Sequence, residues 1–146
     1  MSYGIRNISN GLRRVKLILV LDSNEYILYL YKKSFLIEKI LNDQKATIFI
    51  DELIVKEVLR NIKEEVKKEF YSFLFKNEIP IFHAQLPISL IQKYKKLGLK
   101  KGDIGIAAFC EYIKAEYLIT ENRHFLKIKA DTFRVVTLKE VLALIK

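Results

Sequence analysis

The sequence predicts an α/β fold: a single three-layer α/β/α domain around a central parallel sheet of four or five strands. Two observations predict it. Apolar runs of strand length alternate with longer stretches of helical character, the pattern of a parallel sheet covered by helices. Those runs are continuously apolar rather than alternating, as strands buried on both faces are. The chain has 146 residues, the size of one domain. No linker, internal repeat or low-complexity segment divides it. Residues 1–14 form an irregular basic lead-in, marked by Gly, Asn and Ser, and 15–146 form the domain.

The elements run in order along the chain. "KLILVL" (16–21) is the first strand, and two helical stretches succeed it, roughly 24–33 and 34–43. "KATIFI" (45–50) is the second strand. Asp51 caps a helix running to about Asn61. There Ile54, Val55, Val58 and Ile62 make the buried stripe, with Glu57 and Asn61 one turn apart on its flank. Next come a charged helix (about 63–77), a short third strand "IPIF" (79–82) and a helix over 88–96. "LGLKKG" is a loop before a greasy helix that Asp103 opens. "EYLIT" (116–120) and "FRVV" (133–136) are strands four and five, and "TLKEVLALI" closes the chain as a helix.

Composition narrows the function. The net charge of +9 attracts polyanions, of which nucleic acid is the commonest; a Lys-rich surface that only keeps the protein soluble is the plainer reading. The single cysteine, Cys110, excludes an intramolecular disulfide and fits a reducing compartment. No signal peptide is visible, and "VKLILVL" is too short to span a bilayer. The expectation is a soluble, cytoplasmic protein with no membrane association. His83 and His124 have no ligand-like spacing with Cys110, which argues against zinc. There is no Gly-rich phosphate loop.

Sites in open parallel sheets form beyond the carboxyl ends of the strands. Asp22 comes directly after strand one; Thr120, Glu121 and Asn122 stand at the end of strand four; Asp103 opens the helix before it. Taken singly, Asp22 and Asp103 read as helix caps and Glu57 as solvated surface. Taken together, three carboxylates at one end of a sheet repel each other, and such a cluster needs a cation or raised pKa values to persist. Hard oxygen donors select Mg²⁺ or Mn²⁺.

From about Lys16 onward the chain resembles the PIN-domain ribonucleases, a group that includes VapC-type toxins of toxin–antitoxin pairs and RNA-processing nucleases. "LILVLDSNEYI" is similar to the family's first motif, with Asp22 as its acid. "ELIVKEVLRN" is similar to the second, with Glu57. "KGDIGIAAFCEYIKAEYLITENRHF" resembles the third and fourth run together. In it Asp103 opens the helix, and the small residues Gly105, Ala107 and Ala108 allow close helix–sheet packing. One departure stands out: the family's fourth acidic position usually carries Asp, and Asn122 occupies it here. Asn still offers a carbonyl oxygen, and the neighbouring Glu121 adds charge. The departure counts against a second metal ion more than against the first.

The resemblance implies a divalent-metal-dependent endoribonuclease acting on single-stranded RNA. Asp22, Glu57, Asp103 and Asn122 would be the catalytic and metal-binding set for Mg²⁺ or Mn²⁺. Such an ion activates a bound water and offsets charge on the phosphate. Ser23, Asn61, Thr120 and Glu121 would support these residues, although Ser23 and Thr120 also suit turns. Arg60, Lys100, Lys101 and Arg123 would contact the RNA backbone, with Lys95 and Lys96 extending the basic run. Besides RNA, the partners to expect are an antitoxin protein and a second copy in a homodimer. Two other classes stay open: a degenerate PIN domain that binds RNA or protein without cutting, and a phospho-acceptor domain. The latter usually wants an acidic pair after the first strand, where "LVLD" supplies one carboxylate.

Overall fold

Among the described residues five strands pair in parallel: β1 (Leu17–Leu21), β2 (Ala46–Asp51), β3 (Ile81–Phe82), β4 (Tyr117–Ile119) and β5 (Arg134–Val136). Their spatial order is β3–β2–β1–β4–β5. This computed structural model describes residues 16–43, 45–83 and 85–144; the lead-in expected over 1–14 lies outside them. The helices are α1 (Ser23–Leu30), α2 (Leu36–Asp43), α3 (Glu52–Arg60), α4 (Glu64–Lys76), α5 (Ile88–Lys96), α6 (Gly102–Tyr112), α7 (Arg123–Lys127) and α8 (Leu138–Leu144). None of these is long and apolar enough to cross a membrane.

β1 lies at the centre because it is the most apolar run, and Leu19, Val20 and Leu21 are fully buried. The chain builds outward from β1 to β2 and β3, then returns across the sheet to place β4 on the other side of β1. The order therefore reverses between β1 and β4, and a crevice opens beyond their carboxyl ends. By the right-handed rule for parallel crossovers, α1–α4 cover one face of the sheet and α5–α6 the other. On the first face Tyr26 of α1 meets Phe70 and Phe73 of α4 edge-on, at centroid distances of 5.9 and 6.4 Å. On the second, Phe109 of α6 packs against Phe82 of β3 at 5.6 Å.

Local chemistry sets the boundaries. α1 stops before the expected residue 33 because Lys32 turns left-handed (φ 58°), which ends a helix. Asp51 caps α3 as expected, its Oδ1 accepting from the Ile54 N–H at 3.0 Å. α7 was not among the expected elements; the Asn122 side chain caps it, accepting from the His124 N–H at 2.9 Å. Gly105, expected to serve close packing, faces α3: a Cβ there would press on the Leu53 Cδ1. Away from the crevice, Glu111 of α6 gathers Lys93 (2.8 Å) and the buried Tyr94 hydroxyl (2.6 Å) of α5. Lys93 also reaches Asp131 before β5 at 2.9 Å. This network fastens α5, α6 and the approach to β5 together.

Candidate active site

The register places Leu21 of β1 beside Ile119 of β4. The next residues, Asp22 and Thr120, therefore leave the sheet side by side. The Asp22 N–H still donates to the Ile119 carbonyl at 2.9 Å. Its carboxylate is buried and held from two directions. Oδ1 accepts from the Ser23 N–H at 2.8 Å, and Oδ2 accepts from the Thr120 hydroxyl at 2.7 Å. Thr120 Oγ1 in turn accepts from the Asn122 N–H at 2.9 Å, which fixes the loop after β4. Asp22 thus both caps α1 and faces the crevice.

Glu57 reaches the same place from α3, where the Ser23 hydroxyl donates to its Oε1. Asp103 enters from the first turn of α6, behind Lys101 and Gly102. Asp22, Ser23, Asn24, Glu57, Asp103, Glu121 and Asn122 line one pocket of about 340 Å³. Residues from all four connections between the strands thus meet at the reversal point of the sheet. Burial raises the Asp103 pKa above the ordinary carboxylate range, and Asp22 and Glu57 raise it further. His124 and a hydrogen bond from Asn122 pull it partly back. The Asp22 pKa is also raised, mainly by burial, against the pull of its two hydrogen bonds. Both shifts report negative charge crowded into a poorly hydrated corner.

Asn122 divides its amide: the carbonyl oxygen accepts from the His124 N–H, and the side chain also hydrogen-bonds to Asp103. Asn61 stands exposed at the end of α3, its amide donating to the Glu57 backbone carbonyl at 2.8 Å, outside the pocket. Arg60 and Arg123 are exposed and line neither this pocket nor the cavity beside it. Lys100 and Lys101 border that adjoining cavity together with Glu57, Asp103 and His124. Among the described residues, no three His, Cys, Asp or Glu side chains are gathered tightly enough to hold a metal ion directly.

Sequence reasoning missed Glu25. It is 4% exposed, and its Oε2 has no hydrogen-bond partner. Burial, then Glu121 and Asp22, push its pKa up to about 7. Its place inside a helical stretch, three residues after the Asp22 cap of α1, gave no signal of this burial. Asn24 and His124 were also missed as lining residues.

No protein-family model and no curated protein matches the chain. Among solved structures it is similar to the VapBC2 of Rickettsia felis bound to a DNA fragment from their promoter. The match covers 82% of this chain and 97% of that one, with a TM-score of 0.62 and 21% identity. The two chains share a fold, and it is PIN-like. In that PIN-like frame the acidic pocket occupies the reversal point between β1 and β4.

Proposed function

We propose that the chain is a divalent-metal-dependent endoribonuclease that hydrolyses phosphodiester bonds of single-stranded RNA, and that it serves as the toxin of a toxin–antitoxin pair. The observation that carries the activity is the pocket itself, where Asp22, Glu57 and Asp103 converge with Asn122 beyond the central strands. The donors are all oxygens, which suits Mg²⁺ or Mn²⁺. Their spread fits an ion that keeps part of its water shell, as Mg²⁺ does. When bound there, the ion would lower the pKa of a water and offset charge on the phosphate. The chain's own contribution is preorganisation. Thr120 and the Ser23 N–H hold Asp22, and the Ser23 hydroxyl holds Glu57. The net charge of +9 offsets the repulsion between RNA and the carboxylates. The likeness to VapBC2, seen with promoter DNA, supports an antitoxin partner for this chain; a homodimer and a cytoplasmic setting belong to the same reading.

One observation favours a second reading, a PIN-like module that binds RNA or protein without cutting: Asn122 brings a neutral amide to Asp103 at the fourth position. Cleavage of a mixed RNA pool by highly purified protein across Mg²⁺ and Mn²⁺ concentrations separates the two. Wild type should cut, less as salt rises, while Asp22→Asn and Asp103→Asn should bind RNA without cutting. The same trace of degradation from wild type and Asp103→Asn identifies a contaminant, and the binding module is then the reading that stands.

A further inference from the structure

The acidic pocket does not end at Asp103. A second cavity of about 470 Å³ shares Glu57 and Asp103 with it, and its other walls include Lys100, Lys101, Gly102 and His124. A third, of about 380 Å³, shares Lys100 and Lys101 with the second and adds Lys95. Along this track the lining changes from carboxylates to lysines. A strand whose reacting phosphate lies at the acidic end carries its next phosphate toward cations, which suits a polyanion better than a neutral ligand.

Gly102 supplies an independent observation. Its backbone does not occupy the left-handed region, and a Cβ there would meet no protein atom within 4 Å. Neither backbone conformation nor internal packing requires glycine at this place. Its effect is to leave the cavity wall bare between Lys101 and Asp103, where a ligand can approach the main chain closely. The second cavity also falls within the range of about 300–1,000 Å³ typical of small-ligand sites, which suits a single nucleotide.

We propose that the Lys100–Lys101–Gly102–His124 cavity is a nucleotide subsite that seats the residue next to the scissile phosphate of single-stranded RNA. Lys100 and Lys101 hold the flanking phosphate, the bare wall at Gly102 admits the sugar, and the His124 ring offers a face to the base. The assignment rests on the nuclease reading for its orientation, and its test does not depend on cleavage. The affinity of a fluorescein-labelled eight-nucleotide RNA is measured by anisotropy in EDTA over a range of salt. Lys100→Ala with Lys101→Ala should lower the slope of log affinity against log salt by about 1.4, two contacts at about 0.7 each for a single strand. Gly102→Leu should weaken binding while keeping the slope and the melting temperature, because it fills the cavity without removing a charge. Unchanged affinity and slope in both variants overturn the subsite. Cleavage in Mn²⁺ is followed in parallel. If the variants lose binding and no form cuts RNA, the cavity stands as a nucleotide site without that orientation, and the nuclease reading fails. If wild type cuts and both variants bind and cut like it, the nuclease reading stands and the subsite fails.

Discussion

The Thr120 hydroxyl donates to Asp22 Oδ2 at 2.7 Å, joining residues 98 apart in the chain. The bond closes the seam between β1 and β4 and satisfies a carboxylate oxygen that has little access to water. Thr120→Val keeps the shape and removes the donor, so that oxygen loses its partner. The expected cost is about 1–3 kcal/mol of folding stability, together with a further rise in the Asp22 pKa. Denaturant unfolding measures the first, and carboxyl titration by NMR the second.

Glu25 makes stability depend on pH with an unusual sign. Its folded pKa of about 7 lies above the ordinary 4.5, so the folded state holds the proton more tightly. The contribution is fully present below about pH 4.5 and is lost as pH rises to about 7. Asp51, raised to about 6 mainly by burial, acts in the same direction over a lower window. The metal-free protein should therefore lose stability between pH 5 and pH 7.5. Glu25→Gln should stabilise by on the order of 2 kcal/mol at pH 8 and do little at pH 4.5. Unfolding curves at the two pH values decide; equal effects at both would show that Glu25 is not the source.

Metal should relieve the crowding that raises the Asp22 and Asp103 pKa values. Mn²⁺ at about 100 times its dissociation constant should add about 2.7 kcal/mol to wild type. Asp22→Asn combined with Asp103→Asn should abolish that gain. Melting temperature with and without Mn²⁺ is the readout, and an equal shift in both proteins would place the binding elsewhere.

Asn122→Asp tests the fourth position. Asp caps a helix as well as Asn, so α7 should persist. The variant exchanges the amide facing Asp103 for another carboxylate. Without metal the protein should become less stable above pH 6. With Mn²⁺ the gain in melting temperature should exceed that of wild type, and RNA cleavage should hold or rise. Calorimetric titration with Mn²⁺ checks the affinity directly.

The carboxylates at the ends of elements were legible because a rule connects them to the fold: a residue just past the carboxyl end of a parallel strand faces the crevice. Asp22 and Thr120 obey it directly. Glu57 was legible from its place beside the apolar stripe of α3. Glu25 was not, because a glutamate inside a helical stretch normally points to water, and only tertiary packing decides otherwise. His124 escaped because the polar run after β4 gave too short a periodic signal to reveal α7. The supporting role expected of Asn61 depended on where its amide turned, and it donates to the Glu57 carbonyl one turn back. Strand order is likewise not written locally; it emerges when the most apolar run takes the centre.

The seam between Asp22 and Thr120 has a consequence during synthesis. β1 is made early, but its neighbour β4 and the loop that positions Asn122 come almost a hundred residues later. Until that segment has left the ribosome, Asp22 lacks its threonine and the pocket lacks one wall. A chain able to cut RNA would thus stay harmless to the message and the ribosome producing it until most of its length had been made. The sequence separation that slows folding also delays completion of the pocket.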